Sequence, residues 1–292
     1  MLGIVGTVPD QDFPLTIGKV TLKQGKIHIE DQEVEMSRGT PALLGAVCKT
    51  CQVLGLPEPL ALLVGDIGLG HGSRKLYAYL ENEVKNLGLS TVTFHYLQPD
   101  VDWHNRVLFA LQEIDPRPTL IADAGFMYAA KMSGQAEEYD LFTPDIGELA
   151  FLADEEAPHP FYTRGFILHE DNQAMDLITR AYKHQNAARY LLVKGKQDHV
   201  AHQGKILASI EGPTEEAMEA IGGTGDTITG MVSALIHSGM DIERACVVAA
   251  KANRLAGHYA KPTPATQIEE IIQHIPRALE SVDKPYSEDN SS

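Results

Sequence analysis

Short apolar segments alternate with segments of helical periodicity through the middle of the chain. Four times a strand-like apolar run precedes a helix-like stretch, and these runs are LALLVGD (60–66), TVTFHYL (91–97), PTLIADAG (118–125) and YDLFTPD (139–145). Runs that are apolar throughout are typical of strands covered on both faces, and strand–helix alternation supplies the crossovers that parallel strands need. We therefore predict a layered α/β fold with a mainly parallel central sheet.

The flanking segments predict the sheet edges and two closing helices. Near the start, KVTLKQGKIHIE indicates a β-hairpin turning at Gln24-Gly25, because apolar residues alternate on both sides of a turn dipeptide. RYLLVKGK predicts a further strand, and DHVAHQG with KILASIEG predicts a hairpin beside it. TITGMVSALIHSG and DIERACVVAAKANRLAGHYA predict helices, because their apolar residues recur at helical spacing.

The chain shows no internal repeat, low-complexity linker or break in composition. We therefore predict a single domain over residues 1–283. The polar ending KPYSEDNSS, residues 284–292, predicts a disordered tail.

Charge and hydropathy exclude several classes of partner. Lys and Arg number 24 and Asp and Glu 40, a net charge of −16, so the averaged surface repels nucleic-acid backbones and anionic lipids. No stretch approaches the ~18 uninterrupted apolar residues of a membrane span, and the amino terminus lacks the basic and apolar regions of a secretory signal. We expect a cytoplasmic protein that binds neither nucleic acid nor membranes.

Cys48 and Cys51 form a C-x-x-C pair inside PALLGAVCKTCQVLGL. Helical spacing places the two thiols on one face, and a single pair makes only half of a zinc site. A redox pair is the alternative, but we interpret both as buried small apolar side chains.

The segment Ile221-Gly222-Gly223-Thr224-Gly225-Asp226 stands directly before a predicted helix that begins near Thr227. Glycines allow a close backbone approach, and the free N–H groups of a helix start bind anions. Asp226 would then lie beside a bound phosphate and could accept a proton from an attacking hydroxyl. The alternative is a tight turn in which Asp226 only caps the helix.

Other polar residues follow predicted strands, at the edge where open α/β sheets bind ligands. Asp145 and Glu148 share a helix face and could hold hydrated Mg²⁺, or could form only an acidic first turn. Gly68 belongs to the glycine-rich turn GDIGLGHGS, which is either a pocket wall or a plain loop. Asp123 ends the strand of LIADAG, and Lys194, in LLVKG, is a phosphate contact or a surface lysine.

Read in order, these motifs resemble the ribokinase-like superfamily and, within it, the ADP- or ATP-dependent NAD(P)H-hydrate dehydratases. The resemblance covers roughly residues 38–280 and implies a three-layer α/β/α sandwich. The segments that carry it are LLVGDIGLG, LIADAGFMYAA, LFTPDIGELAFL, LLVKG, GGTGDTITGMVSAL and ATQIEEIIQHIPRAL.

The resemblance implies a nucleotide site that takes ADP or ATP. Asp226 would be the acid/base residue, and Lys194 and Gly195 would line the nucleotide site. The anion hole around the terminal phosphate would consist of Gly222, Gly223, Thr224 and Gly225.

The resemblance also implies a metal and a substrate. Glu148 would help to hold Mg²⁺, while Asp123, Asp145 and Gly68 would face the substrate. In this family the nucleotide is thought to turn the hydroxyl of hydrated NAD(P)H into a phosphorylated leaving group, so kinase machinery would serve an elimination. The resemblance also makes a homo-oligomer reasonable.

Three departures from the family pattern fall on substrate positions. Gly125 replaces the second aspartate of D-A-D, Asp145 replaces the histidine of T-P-H, and EGPTEEAMEA replaces an expected asparagine-proline-glycine run. We therefore keep two alternatives to the dehydratase: a kinase of a small alcohol such as a sugar, thiazole or vitamin, and a catalytically silent nucleotide-binding relative. A Rossmann oxidoreductase would depend on the imperfect Gly68 turn alone.

Overall fold

The structure is a computed structural model that describes residues 1–155 and 173–282. The predicted tail at 284–292 lies outside the described residues. None of the helices in the described part of the chain combines the length and the apolar character that a membrane crossing requires.

Strands of the described residues form one sheet in the order β11-β10-β9-β8-β7-β6-β1-β5-β2-β3-β4. Strands β5, β1, β6, β7, β8 and β9 are mutually parallel, which confirms the predicted mainly parallel sheet. The strands are β1 (Leu2–Val8), β2 (Thr16–Lys23), β3 (Lys26–Ile29), β4 (Gln32–Glu35), β5 (Leu60–Gly65), β6 (Thr91–Phe94), β7 (Thr119–Ala122), β8 (Leu141–Phe142), β9 (Tyr190–Val193), β10 (Asp198–His202) and β11 (Lys205–Ile210).

Antiparallel strands extend the parallel region at both edges. Strands β2 and β3 pair around Gln24 and Gly25, whose φ values of 50° and 79° form the predicted tight turn. Strand β4 continues this edge, and β10 with β11 forms the predicted hairpin at the other edge. Strand β1 lies between β5 and β6 in the centre of the sheet, a role that the sequence analysis did not predict.

Helices cover both faces of the sheet, so the molecule has three layers. One core cluster joins one face to α1, α7, α8, α9 and α10, and the other joins the opposite face to α2–α6. The helices are α1 (Thr40–Leu54), α2 (His71–Glu83), α3 (Val101–Gln112), α4 (Ala124–Met132), α5 (Ile146–Ala153), α6 (Gln173–Lys183), α7 (Thr224–His237), α8 (Ile242–Ala260), α9 (Ile268–Ile272) and α10 (Ile275–Ser281).

Alternation along β1 shows how the two clusters share one strand. Ile4 packs in the first cluster and Val5 in the second, because successive side chains of a strand point to opposite faces. Cys48 and Cys51 are free thiols buried in the first cluster, which confirms their interpretation as packing residues. Burial raises the pKa of the Cys51 thiol to about 11, so this thiol is a poor nucleophile.

Candidate active site

A cavity of about 640 Å³ opens where the carboxyl ends of β6–β9 meet the amino end of α7. All but two of the residues predicted for the site line this cavity. The predicted residues that line it are Asp123, Asp145, Glu148, Lys194, Gly195, Gly223, Thr224, Gly225 and Asp226. Parallel strands bring these residues together, because their carboxyl ends lie at the same edge of the sheet.

Gly68 and Gly222 are not among the residues that line this cavity. Gly222 packs beside Arg38, whose Cβ lies 3.3 Å from where a Cβ at position 222 would stand. Gly68 lies in a loop that the Asp66 carboxylate organises by accepting hydrogen bonds from the N–H groups of Gly68, Leu69 and Ser73.

Helix α7 begins at Thr224, three residues earlier than the sequence predicted. Its N-cap is Gly223, with φ of 106°, and the first bond within the helix runs from the Thr227 N–H to the Gly223 carbonyl. The first turn leaves its own N–H groups without partners inside the helix, and they point out of its positive end toward the cavity. This arrangement suits an anion such as a phosphate.

Asp226 lies in this first turn, but its carboxylate does not cap α7. Oδ2 accepts a hydrogen bond from the Gly39 N–H at 2.7 Å, and Oδ1 lies 3.0 Å from Nε2 of His95. Burial alone would raise the pKa of Asp226, but His95, Lys194 and the Gly39 N–H lower it to about 2. The carboxylate is therefore ionised and held from two sides.

His95 is a fully buried side chain that follows β6. Its Nδ1 lies 3.0 Å from the hydroxyl of Thr40, the first residue of α1, and its Nε2 faces Asp226. Neither His95 nor Thr40 was among the site residues predicted from the sequence. A histidine directly after a buried strand, at the same sheet edge as Asp123 and Lys194, is the signal that points to it.

Asp123 and Lys194 form a buried ion pair, with Lys194 Nζ at 3.1 Å from Oδ1 and 2.8 Å from Oδ2. Thr229 of α7 also donates to Oδ2, at 2.7 Å. Burial disfavours the charge on Lys194, but the carboxylates of Asp123 and Glu148 outweigh it and raise its pKa. The Lys194 ammonium thus occupies the position at Asp123 where a metal cation would otherwise bind.

Asp145 and Glu148 cap helix α5 reciprocally. The Glu148 N–H donates to Asp145 Oδ1, and the Asp145 N–H donates to Glu148 Oε2. Tyr128 donates to the remaining Glu148 oxygen. Burial, with Asp123 and Asp145 nearby, raises the pKa of Glu148 to about 8. A divalent cation would relieve this accumulation of carboxylates, and oxygen ligands of this kind fit Mg²⁺.

Arg254 of α8 organises the loop after β9. Its guanidinium donates to Asp198 and to the carbonyls of Gly195 and Lys196, and Asp198 in turn accepts from the Gly195 N–H. This buried arginine therefore fixes the backbone beside Lys194, a role that was not predicted from the sequence.

Comparison with known proteins identifies the family. The family model for NAD(P)H-hydrate dehydratase matches residues 97–277. The chain belongs to the NAD(P)H-hydrate dehydratase family. All the predicted site residues except Gly68 lie within the match, whereas Thr40 and His95 precede it.

Individual relatives agree with this family. An uncharacterized protein of Methanocaldococcus jannaschii is 43% identical over 240 residues, which are 82% of this chain and 99% of that protein. The bifunctional NAD(P)H-hydrate repair enzyme Nnr of Pyrobaculum aerophilum is 28% identical over 141 residues, 48% of this chain and 25% of that enzyme. A ribokinase-like superfamily protein of Enterococcus faecalis superposes with a TM-score of 0.55 at 14% identity, over 97% of this chain and 88% of that structure, which shows the fold.

The family context gives the departure at Gly125 a physical reason. A Cβ at this position would lie 2.2 Å from the carbonyl oxygen of Leu97, so the backbone leaves no room for the aspartate of the family pattern. Ala124, just before it, has φ of 49° and turns the chain into α4. At the other departure, Asp145 is the N-cap of α5, and its side chain accepts a hydrogen bond from the Glu148 N–H.

Proposed function

We propose that this protein dehydrates hydrated NAD(P)H with the consumption of a nucleotide, ADP or ATP. The observation that carries the proposal is the ionised Asp226 carboxylate in the first turn of α7, beside the N–H groups that suit a phosphate and within the cavity that Lys194 lines. Family membership and the name of the Pyrobaculum relative support the choice of substrate.

The residues have separate roles in this reaction. The amino end of α7 binds the terminal phosphate of the nucleotide, and the loop at Gly195 lines the nucleotide site. Lys194 adds positive charge near Gly225, where a Cβ would lie 3.7 Å from Nζ. Phosphoryl transfer needs positioned charge more than covalent help from the protein, and these groups supply charge of that kind.

Asp226 removes the proton of the substrate hydroxyl as its oxygen attacks the terminal phosphorus. The bond between that phosphorus and the nucleotide breaks, and the shortened nucleotide leaves with the electron pair. The new phosphate ester then loses phosphate, with the C–O bonding electrons, and a proton leaves the neighbouring carbon to restore the double bond of the dihydronicotinamide. Asp226 suits the first step because a bound carboxylate that is ionised before the reaction can accept a proton.

Mg²⁺, when bound, would neutralise charge on the phosphates. Glu148 and Asp145 are the residues that would hold it, because their carboxylates lie together at the cavity, near that of Asp123. Ionisation of Glu148 would accompany metal binding, since a divalent cation favours the charged carboxylate.

The test is recovery of the dihydronicotinamide absorbance band from hydrated NADH. Purified protein is incubated with Mg²⁺ and with ADP, with ATP or with no nucleotide. Recovery that requires one of the nucleotides supports the proposal. No recovery, in a protein whose melting temperature still rises with nucleotide, contradicts it.

A kinase of a small alcohol is the second candidate, because Gly125 and Asp145 depart from the family at substrate positions. Nucleotide consumption with a sugar, thiazole or vitamin alcohol, and none with the hydrate, would favour this candidate. Nucleotide binding without turnover of any of these substrates would favour the silent relative.

A further inference from the structure

We propose that His95 is a positioning residue for Asp226, acting through a hydrogen-bonded chain from Thr40 to His95 to Asp226. The imidazole holds the carboxylate as an oriented, ionised proton acceptor. The inference rests on the proposed function, because it concerns the step in which Asp226 takes the proton of the substrate hydroxyl.

The partners of His95 determine where its ring proton lies. An ionised Asp226 only accepts hydrogen bonds, so Nε2 of His95 carries the proton and donates to it. The assignment of the Nε2 proton follows from the hydrogen-bond network. The Thr40 hydroxyl bonds the other ring nitrogen, Nδ1, at 3.0 Å.

Burial makes the contact between Thr40 and His95 hard to lose. Both side chains are fully buried, and among the bonds of the described residues Thr40 Oγ1 has the one partner, Nδ1 of His95. A buried polar group that loses its partner costs about 1–3 kcal/mol, so this bond holds the imidazole in its orientation.

Strand β1 fixes the distance between Thr40 and His95. A Cβ at Gly6 would lie 2.5 Å from Thr40 Oγ1 and 2.7 Å from the His95 carbonyl oxygen. Any larger residue at position 6 would therefore push Thr40 or His95 away. Three elements, β1, α1 and β6, hold the two side chains in contact, and all three precede residue 97, where the family match begins.

Charged groups from the neighbouring elements explain why Asp226 needs this partner. Asp123, after β7, lies 3.9 Å from His95 Nε2, and Lys194, after β9, is paired with Asp123. Glu148 of α5 lines the same cavity, and the ring of Tyr96 packs edge-on against His95 at 4.3 Å. Without His95, Asp226 would keep the Gly39 N–H and the charge of Lys194 but lose its hydrogen bond from the imidazole, and its pKa would rise.

Kinetics of His95→Leu, His95→Gln and Thr40→Val test the proposal. We expect His95→Leu to lower kcat by about 100-fold, the effect of misplacing a reacting group by about 1 Å, while the KM for nucleotide stays within about twofold. Glutamine keeps an amide donor, so His95→Gln should recover part of the loss. Thr40→Val removes only the far end of the chain and should lower kcat less than His95→Leu does. The acidic limb of the pH profile of kcat/KM should move to higher pH in His95→Leu.

His104 provides the matched control, because it is also fully buried and hydrogen-bonded, to Tyr139 and Ser133, but does not line the cavity. His104→Gln should leave the acidic limb where it is in the wild type. An unmoved limb and an unchanged kcat in His95→Leu would overturn the proposal.

A spectroscopic measurement separates this inference from the proposed function. ¹⁵N nuclear magnetic resonance of the resting protein needs no substrate and should show His95 protonated on Nε2, with this signal shifted in Asp226→Asn. A His95 ring that carries no proton on Nε2 would overturn the inference. A wild-type protein that shows the Nε2 proton but fails to dehydrate the hydrate would instead contradict the proposed function.

Discussion

The buried charges of the cavity stabilise one another, and the Asp123–Lys194 ion pair is the most direct example. Lys194→Met removes the cation and leaves a buried carboxylate unpaired, so we expect a loss of about 3 kcal/mol in the free energy of unfolding. Urea denaturation measures it. Lys205→Met, at an exposed position of β11, is the control and should change the value by no more than about 0.5 kcal/mol. Equal losses in both variants would contradict the pairing.

A second single residue, Glu148, makes the free energy of unfolding depend on pH. Its pKa is raised from 4.5 to about 8 by burial and by the neighbouring carboxylates, so the folded protein disfavours its ionised form. The free energy of unfolding should therefore fall as pH rises from 4.5 to 8, relative to Glu148→Gln, which stays neutral. Urea denaturation at pH 5 and pH 9, with EDTA and without nucleotide, measures the difference.

Glu280→Gln is the matched control for this effect, because Glu280 is exposed on α10. Its difference from the wild type should be the same at pH 5 and pH 9. If Glu148→Gln also shows a difference independent of pH, the raised pKa is contradicted.

At the scale of elements, local patterns predicted the helices and strands that carry strong periodicity. The runs at 60–66 and 91–97 became β5 and β6, because both of their faces are covered by helices. The start of α7 was misplaced, since Thr224 and Gly225 have low helix propensity, and the helical position of Thr224 is stabilised by a contact with α8. There the side chain of Asn253 bonds the Thr224 carbonyl.

Only those site residues could be predicted whose chemical role is visible within a single sequence motif. Asp226 and Lys194 stand in motifs that the sequence displays, but the contact of Asp226 with Gly39 joins residues 187 positions apart. The position of His95 after a buried strand indicates the sheet edge, but it does not indicate the contacts with Thr40 and Asp226. Its role depends on the packing of β1, α1 and β6, which periodicity does not specify.

The entry into α4 gives a prediction for an element. Gly125→Ala would place a Cβ 2.2 Å from the Leu97 carbonyl oxygen, so we expect a loss of about 1–3 kcal/mol in the free energy of unfolding. Gly195→Ala is the stability control, because its Cβ would meet its nearest atoms at 3.5 Å. A Gly125→Ala variant as stable as Gly195→Ala would show that the contact with Leu97 is loose.

For the whole molecule, the single domain over residues 1–283 stays a prediction. The continuous sheet of the described residues, covered by helices on both faces, gives a physical reason for cooperativity. We expect one calorimetric transition whose van't Hoff and calorimetric enthalpies agree. Two separable transitions would contradict a single domain.

The central claim is that Asp226 serves a nucleotide-dependent dehydration. The most direct measurement compares the recovery of NADH from its hydrate by the wild type, Asp226→Asn and the control Asp100→Asn. Asp100 caps α3 outside the residues lining the cavity, and asparagine is also a good cap. We predict a loss of at least ~100-fold in kcat for Asp226→Asn, since general-base catalysis contributes that much, with nucleotide binding retained and Asp100→Asn active. Recovery by Asp226→Asn at the wild-type rate would contradict the account.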